Sequence, residues 1–282
     1  ESAGGTNTGW FVGRDYLYEK IFDYQPEWDS QVLILEFEGV YRNAEVWLNG
    51  VRLAFRPYGY TNFYVDLTAH LERKTPNRLQ VIARNADQPN SRWYSGAGIY
   101  RPVQLWTARG AHIALNGVKI RTLSLDPAVV EVRVKTTAPG TVRLMVDDLP
   151  AMQQESDGEA VFTLTLDNAR LWTPETPNLY TCRVNFADDE VTETFGVRKV
   201  EWGTDGFLLN GKRYIIQGAC IHHDNGLLGA VCDPDAVARK VRLLKENGYN
   251  AIRSAHNPCS KALLAECDRQ GMLVMDEYID HW

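Results

Sequence analysis

The chain has no run of apolar residues near the eighteen or so that a membrane helix requires. It lacks the excess of basic residues that a nucleic-acid surface carries: 30 Lys and Arg stand against 36 Asp and Glu, a net charge of −6. Cysteine is scarce and odd in number, with five residues (Cys182, Cys220, Cys232, Cys259 and Cys267) and no C-x-x-C spacing. That argues against a zinc site or a disulfide framework, and all five read as small apolar residues. There is no G-x-S-x-G elbow, no P-loop and no G-x-G-x-x-G turn, which removes the usual serine-nucleophile, nucleotide and dinucleotide signals. The chain opens on Glu1 without a cationic and apolar leader. The compartment therefore stays open between cytoplasm and, after removal of a signal peptide, periplasm or secretion.

What is present is a great deal of alternation. Over residues 16–108 the segments YLYEKIF, QVLILEFEG, AEVWLNGVRLA, TNFYVDLT, NRLQVIARNA and RPVQLWTA have period two, the mark of half-buried strands. Asn49-Gly50 supplies the two positive-φ positions of a tight hairpin. No helix of ordinary length interrupts them, so residues 1–110 read as an all-β jelly-roll sandwich. Residues 111–202 repeat the grammar with HIALNGVKIRTLSLD, VVEVRVKTTAPG, TVRLMVDD, EAVFTLTLD, LYTCRVNFADD and VTETFGVRKVEW, a count that suits an immunoglobulin-like sandwich. The two prolines of LWTPETPNLY make it a rigid connection between strands.

From residue 203 the grammar changes. A hairpin at Asn210-Gly211 leads to an apolar strand over Tyr214–Gly218. A helix follows, with Asp233 as N-cap, Pro234 at its first position and Gly248 beyond its end. Strand NAIRS, a helix from Ser260 to Gln270 closed by Gly271, and strand MLVMD complete the run. This β-α-β-α-β order predicts a parallel sheet with crossover helices over 203–282. Each parallel strand ends in polar residues: His222, His223, Asp224 and Asn225, then Arg253, His256 and Asn257, then Asp276, Glu277, Asp280 and His281. Strand C-termini share one edge of a parallel sheet, so three clusters are predicted to meet at one site. Such groups suit a polyhydroxylated substrate, since they offer donors and acceptors together, and they also suit a hard metal ion. The structural alternative is an Arg253 ion pair with Asp276 or Glu277 that merely braces the sheet.

The motifs EGVYRNAEVWLNGVRL, NSRWYSGAGIYRPVQLW, LWTPETPNLYTCRV, FGVRKVEW, FLLNGKRYIIQGACIHHD, LKENGYNAIRSAHNP and CDRQGMLVMDE, taken in order, resemble glycoside hydrolase family two. The resemblance covers nearly the whole chain. It implies a sugar-binding-like jelly roll, an immunoglobulin-like domain and the first three strands and two helices of an incomplete (β/α)8 TIM barrel. It further implies retaining hydrolysis of terminal β-linked sugars, with CIHHDNGLLGA resembling the β-galactosidase-like subgroup more than β-glucuronidases. By that resemblance His222, His223, Arg253, His256, Asn257, Asp276 and Glu277 are substrate-binding candidates, with Asn90 and Ser91 as jelly-roll contacts. Ser91 stands where β-galactosidases often carry a sugar-contacting aspartate. The family's acid/base and nucleophile glutamates follow its fourth and seventh barrel strands, so the chain is expected to be an inactive front portion of a carbohydrate-active enzyme. A non-catalytic carbohydrate-binding module is the reading from another class. No cofactor and no metal ligand are expected: Asp280 and His281 are adjacent where the family's magnesium pattern needs a residue between them. Carbohydrate is the expected partner, without nucleic acid or membrane, and a homo-oligomer is left open.

Overall fold

Residues 14–86, 95–204 and 206–279 are described by the structure, a computed structural model. The first unit contains β1 (Tyr16–Phe22), β2 (Gln31–Phe37), β3 (Val40–Tyr41), β4 (Ala44–Leu48), β5 (Val51–Arg56), β6 (Phe63–Asp66), β7 (Asn77–Ala83), β8 (Gly98–Ile99) and β9 (Val103–Arg109). Two antiparallel sheets, ordered β1-β7-β4-β5 and β6-β2-β9, face each other as a jelly-roll sandwich. Alternate residues turn inward, so Leu33, Leu35 and Phe37 of one sheet meet Val46, Leu48 and Val81 of the other. Each such side chain, fully buried, contributes about 1.5–3 kcal/mol. The β4–β5 hairpin closes in two residues because Asn49 and Gly50 take φ of 52° and 83°.

The second unit contains β10 (Ile113–Leu125), β11 (Ala128–Thr136), β12 (Gly140–Val146), β13 (Met152–Ser156), β14 (Glu159–Leu166), β15 (Tyr180–Phe186) and β16 (Asp189–Phe195). Sheets β10-β11-β14 and β13-β12-β15-β16 pack as an immunoglobulin-like sandwich around Val130, Val132, Leu144, Val146, Phe162 and Val184. The segment VTETFGVRKVEW is not one strand. Gly196 breaks it where Trp172 is wholly buried, and a Cβ there would lie 2.7 Å from the Trp172 Cβ.

The third unit starts with an antiparallel sheet of β17 (Val200–Gly203), β18 (Gly206–Leu209) and β19 (Lys212–Arg213). Then come β20 (Gly218–Ile221), α1 (Pro234–Glu246), β21 (Ala251–Ser254), α2 (Lys261–Gln270) and β22 (Leu273–Asp276). The last three strands are parallel, in register Gly218↔Ala251↔Leu273. The strand expected at Tyr214–Gly218 therefore begins four residues later. Ile215 and Ile216 are exposed, and the backbone before β20 is held by Asn250, whose side chain bonds Gln217 N at 2.8 Å and Ile215 O at 2.9 Å. Asp233 and Gly271 cap the helices as read from the sequence, whereas Ser260, read as the first residue of the second helix, is its N-cap. Asp233 Oδ1 accepts from Ala236 N at 2.9 Å, Ser260 Oγ from Leu263 N at 3.2 Å, and Gly271 ends α2 at φ 79°. Among the described residues no helix is long and apolar enough to cross a membrane.

Both sandwiches grip this unit. Trp172 Nε1 donates to Asp268 O at 2.8 Å, and Lys245 Nζ donates to Pro174 O at 2.6 Å and to Gly271 O at 2.9 Å. Gly271 fits because any Cβ there would stand 2.3 Å from Pro174 O. On the other side Lys261 at the start of α2 meets Glu36 of β2 at 2.7 Å, and the Glu36 side chain has no exposed surface. Asn62 Nδ2 at 2.9 Å and Trp106 Nε1 at 2.8 Å also donate to it. Burial works to raise the Glu36 pKa, and the hydrogen bonds from Lys261, Asn62 and Trp106 outweigh it and hold the carboxyl below its ordinary value.

Candidate functional site

The C-terminal ends of β20, β21 and β22 lie side by side because the strands are parallel and in register. Four of the polar residues named above come together there. The His222 and His256 rings stack with centroids 5.3 Å apart. Arg253 Nε donates to Glu277 Oε1 at 2.7 Å, and its Nη2 makes a still closer contact to the same oxygen. The other oxygen, Glu277 Oε2, accepts from the backbone N of His256. Glu277 thus fixes both the arginine and the loop that presents His256.

That loop is strained. His256 has φ 74°, a left-handed conformation that costs a non-glycine residue about 1–2 kcal/mol. Three neighbours hold it: Glu277 takes the His256 N–H, Ala255 N donates to Ile221 O at 2.9 Å, and Ser254 Oγ donates to Asn257 O at 2.9 Å. The hydrogen bond from His256 N, followed by those from Arg253, holds the Glu277 carboxyl below its ordinary value. His222 is also held below its ordinary value, first by partial burial and then by His256, with Asp224 pulling the other way. At neutral pH the site therefore sets the neutral His222 imidazole beside a charged Arg–Glu couple. It offers donors and acceptors together with the part-exposed Arg253 guanidinium, a set suited to ring hydroxyls.

The remaining candidates have other neighbours. Asp276 Oδ1 accepts from Cys259 N at 2.9 Å and so ties the end of β22 to the loop after β21. Asn257 is buried, and its Oδ1 accepts from Tyr58 OH of the first sandwich at 2.6 Å. His223 faces the first sandwich as well. Its ring packs on Tyr60 with centroids 4.9 Å apart, and Arg101 Nη2 donates to its Nδ1 at 3.3 Å. Burial, then Arg101, pushes the His223 imidazole down to about 3. Asn90, Ser91, Asp280 and His281 lie outside the described residues.

Two features of the site went unread in the sequence. Cys220 is exposed, not packed as a small apolar filler, and Arg253 Nη1 donates to its Sγ at 3.4 Å. The register row Cys220↔Arg253↔Met275 would have placed it beside the arginine once the strand start was moved to Gly218. The other feature is the contribution of Tyr58, Tyr60 and Arg101, which carry no local signal of a contact with the third unit. Among the described residues no group of His, Cys, Asp and Glu has the arrangement to hold a metal ion.

Comparison with known proteins follows the same three units. Residues 4–112 match the galactose-binding domain-like region of glycosyl hydrolase 2, residues 111–198 match glycosyl hydrolases family 2, and residues 200–279 match the family 2 TIM barrel domain. The chain is 39% identical to the beta-galactosidase BoGH2A of Bacteroides ovatus, over 100% of this chain and 36% of that protein. It is 34% identical to a putative beta-glucuronidase of Formosa agariphila, over 99% of this chain and 28% of that protein. A beta-glycosidase from Bacteroides vulgatus superposes with a TM-score of 0.90 at 31% identity, covering 100% of this chain and 39% of that one. A glycosyl hydrolase family 2 member from Bacteroides cellulosilyticus superposes with a TM-score of 0.88 at 34% identity, covering 99% and 42%. The chain spans about a third of the length of these curated relatives.

Proposed function

Given that the chain belongs to glycosyl hydrolases family 2, we propose that it supplies the sugar-gripping wall of a retaining β-glycosidase acting on terminal β-galactosides. The observation that carries this reading is the meeting of His222, Arg253, His256 and Glu277 at the C-terminal ends of three adjacent parallel strands, the face where barrel enzymes work. His222 and His256 bond ring hydroxyls, and Arg253 with Glu277 sets the depth and charge of the pocket. Asp276, Asn257 and His223 shape its loops.

The acid and the nucleophile of such a reaction are two carboxyl groups roughly 5–5.5 Å apart across the scissile bond. Glu277 is committed to Arg253 and the His256 amide, and Asp276 to the Cys259 amide, so neither is free for that work. The chain on its own is therefore expected to bind sugar without cleaving it. The naming of one relative as a putative beta-glucuronidase favours β-glucuronides as the second reading. The test is release of nitrophenol from p-nitrophenyl β-galactoside and β-glucuronide. We expect none from the 282-residue chain. We expect faster turnover of the galactoside by a longer protein that carries this chain within a complete barrel. Cleavage by the chain unaided, or a longer protein indifferent to both compounds, overturns the proposal.

A further inference from the structure

We propose that Arg101 of the first sandwich is a positioning residue for the sugar site: it locks His223 as the neutral Nε2–H tautomer and clamps the loop that presents His256. The inference rests on the sugar-site reading only for the purpose of the clamp, not for its existence.

Arg101 is almost fully buried. Room for it comes from Gly39, where a Cβ would stand 2.9 Å from the Arg101 Cδ. Its guanidinium donates to Tyr60 O at 2.9 Å, to Pro258 O at 2.8 Å and to His223 Nδ1 at 3.3 Å, with a longer contact of 3.5 Å to Glu38 O. These acceptors are carbonyl oxygens and one ring nitrogen. A guanidinium has five N–H donors and nothing to accept with. The His223 Nδ1 it addresses must therefore present a lone pair, which places the proton on Nε2. A protonated His223 would set a second cation against a buried one.

The clamp reaches the site from two directions. His223 directly follows His222 in the chain, so fixing one ring fixes the backbone that carries the other. Pro258 lies two residues past His256, on the loop whose left-handed turn Glu277 holds from the opposite side. Tyr58 adds a second hold on that loop through Asn257. Arg101, His222, Lys240 and His256 each work with burial against protonation of His223, and from the first sandwich Tyr60 also packs its ring on the imidazole. The first sandwich thus acts at a distance on residues that touch the substrate.

Six histidines make the test tractable by long-range ¹H–¹⁵N correlation spectra of the ¹⁵N-labelled chain, assigned by His→Gln variants. The His223 signals should show the Nε2–H tautomer and should not move between pH 8 and pH 5. In Arg101→Met the tautomer preference should be lost, the midpoint should climb toward the ordinary 6.5, and the His222 and His256 signals should shift. Tyr58→Phe, a conservative change, should shift His256 and leave the His223 tautomer as it was. Ordinary titration of His223 in the unaltered chain overturns the proposal. So do His222 and His256 signals that stay put in a folded Arg101→Met. Adding a β-galactoside separates this from the functional reading: a fixed His223 with no sugar-induced shift at His222 and His256 upholds the clamp and refutes the sugar site.

Discussion

Replacing Lys261 with methionine removes the cation that faces Glu36 and leaves the carboxylate where it is. Glu36 has no exposed side-chain surface, so solvent cannot take the place of the lysine. Deleting one partner of a fully buried pair costs about 3–5 kcal/mol. Here the Lys261 side chain is itself 43% exposed, and Asn62 and Trp106 continue to donate to Glu36. Both features reduce the loss, and about 2 kcal/mol is expected at pH 7. The pH dependence provides the signature. In the unaltered chain the Glu36 carboxyl sits below its ordinary value, so its contribution is present above that value and is lost as pH falls through the lower, folded one. Without Lys261 burial dominates and the folded value rises above the ordinary one. Charged Glu36 then weakens the fold at pH 7, and the penalty fades on acidification. The gap between the two proteins should shrink steadily from pH 7 toward pH 4. Urea unfolding followed by tryptophan fluorescence measures it, with equal slopes required before midpoints are compared. Adding Glu36→Gln to the variant should restore most of the loss at pH 7, since no charge remains to be buried. A gap below about 0.5 kcal/mol, or one that does not change with pH, would refute the reasoning.

Three further outcomes are expected. Gly271→Ala must give up the left-handed cap and meet Pro174 O, and should cost about 2–4 kcal/mol, seen as a lower unfolding temperature; an unchanged temperature shows that Pro174 can move away freely. In a longer protein carrying the chain, His256→Ala should lower kcat/KM by about 100-fold, and an equal value would remove the histidine from the site. NMR titration of His222 should give a midpoint below the ordinary 6.5, rising only part of the way back in His256→Ala because burial is the larger cause. His222 then adds nothing to stability above its ordinary midpoint, and disfavours the fold as pH falls from there to the folded value.

Much of the architecture was legible because it is written in local grammar. Alternation gave the strands, Asn-Gly pairs gave the hairpins, and Asp233, Ser260 and Gly271 marked the helix ends. The errors have local causes as well. β13 is MQQES, four polar residues after one methionine, and it exists only because β12 offers an edge to pair with. The run Tyr214-Ile215-Ile216 is apolar enough to mimic a strand, yet Ile215 and Ile216 are exposed. Strand-end placement brought His222, Arg253, His256 and Glu277 to one edge in advance. Nothing local could have announced that Arg101, Tyr58 and Glu36 reach the third unit. Each sits in or beside a strand whose alternation is already satisfied, and its partner lies more than a hundred residues away.

Those separations bear on the order in which the molecule is made. Tyr58 and Asn257 are 199 residues apart, and Glu36 and Lys261 are 225 apart. At ribosomal rates of roughly 5–20 residues per second, the front sandwich, whose last strand ends at Arg109, is complete on the order of ten seconds before Asn257 and Lys261 emerge. It waits as a finished mould, and the loop that carries His256 and Asn257 sets last, cast against a surface already hard.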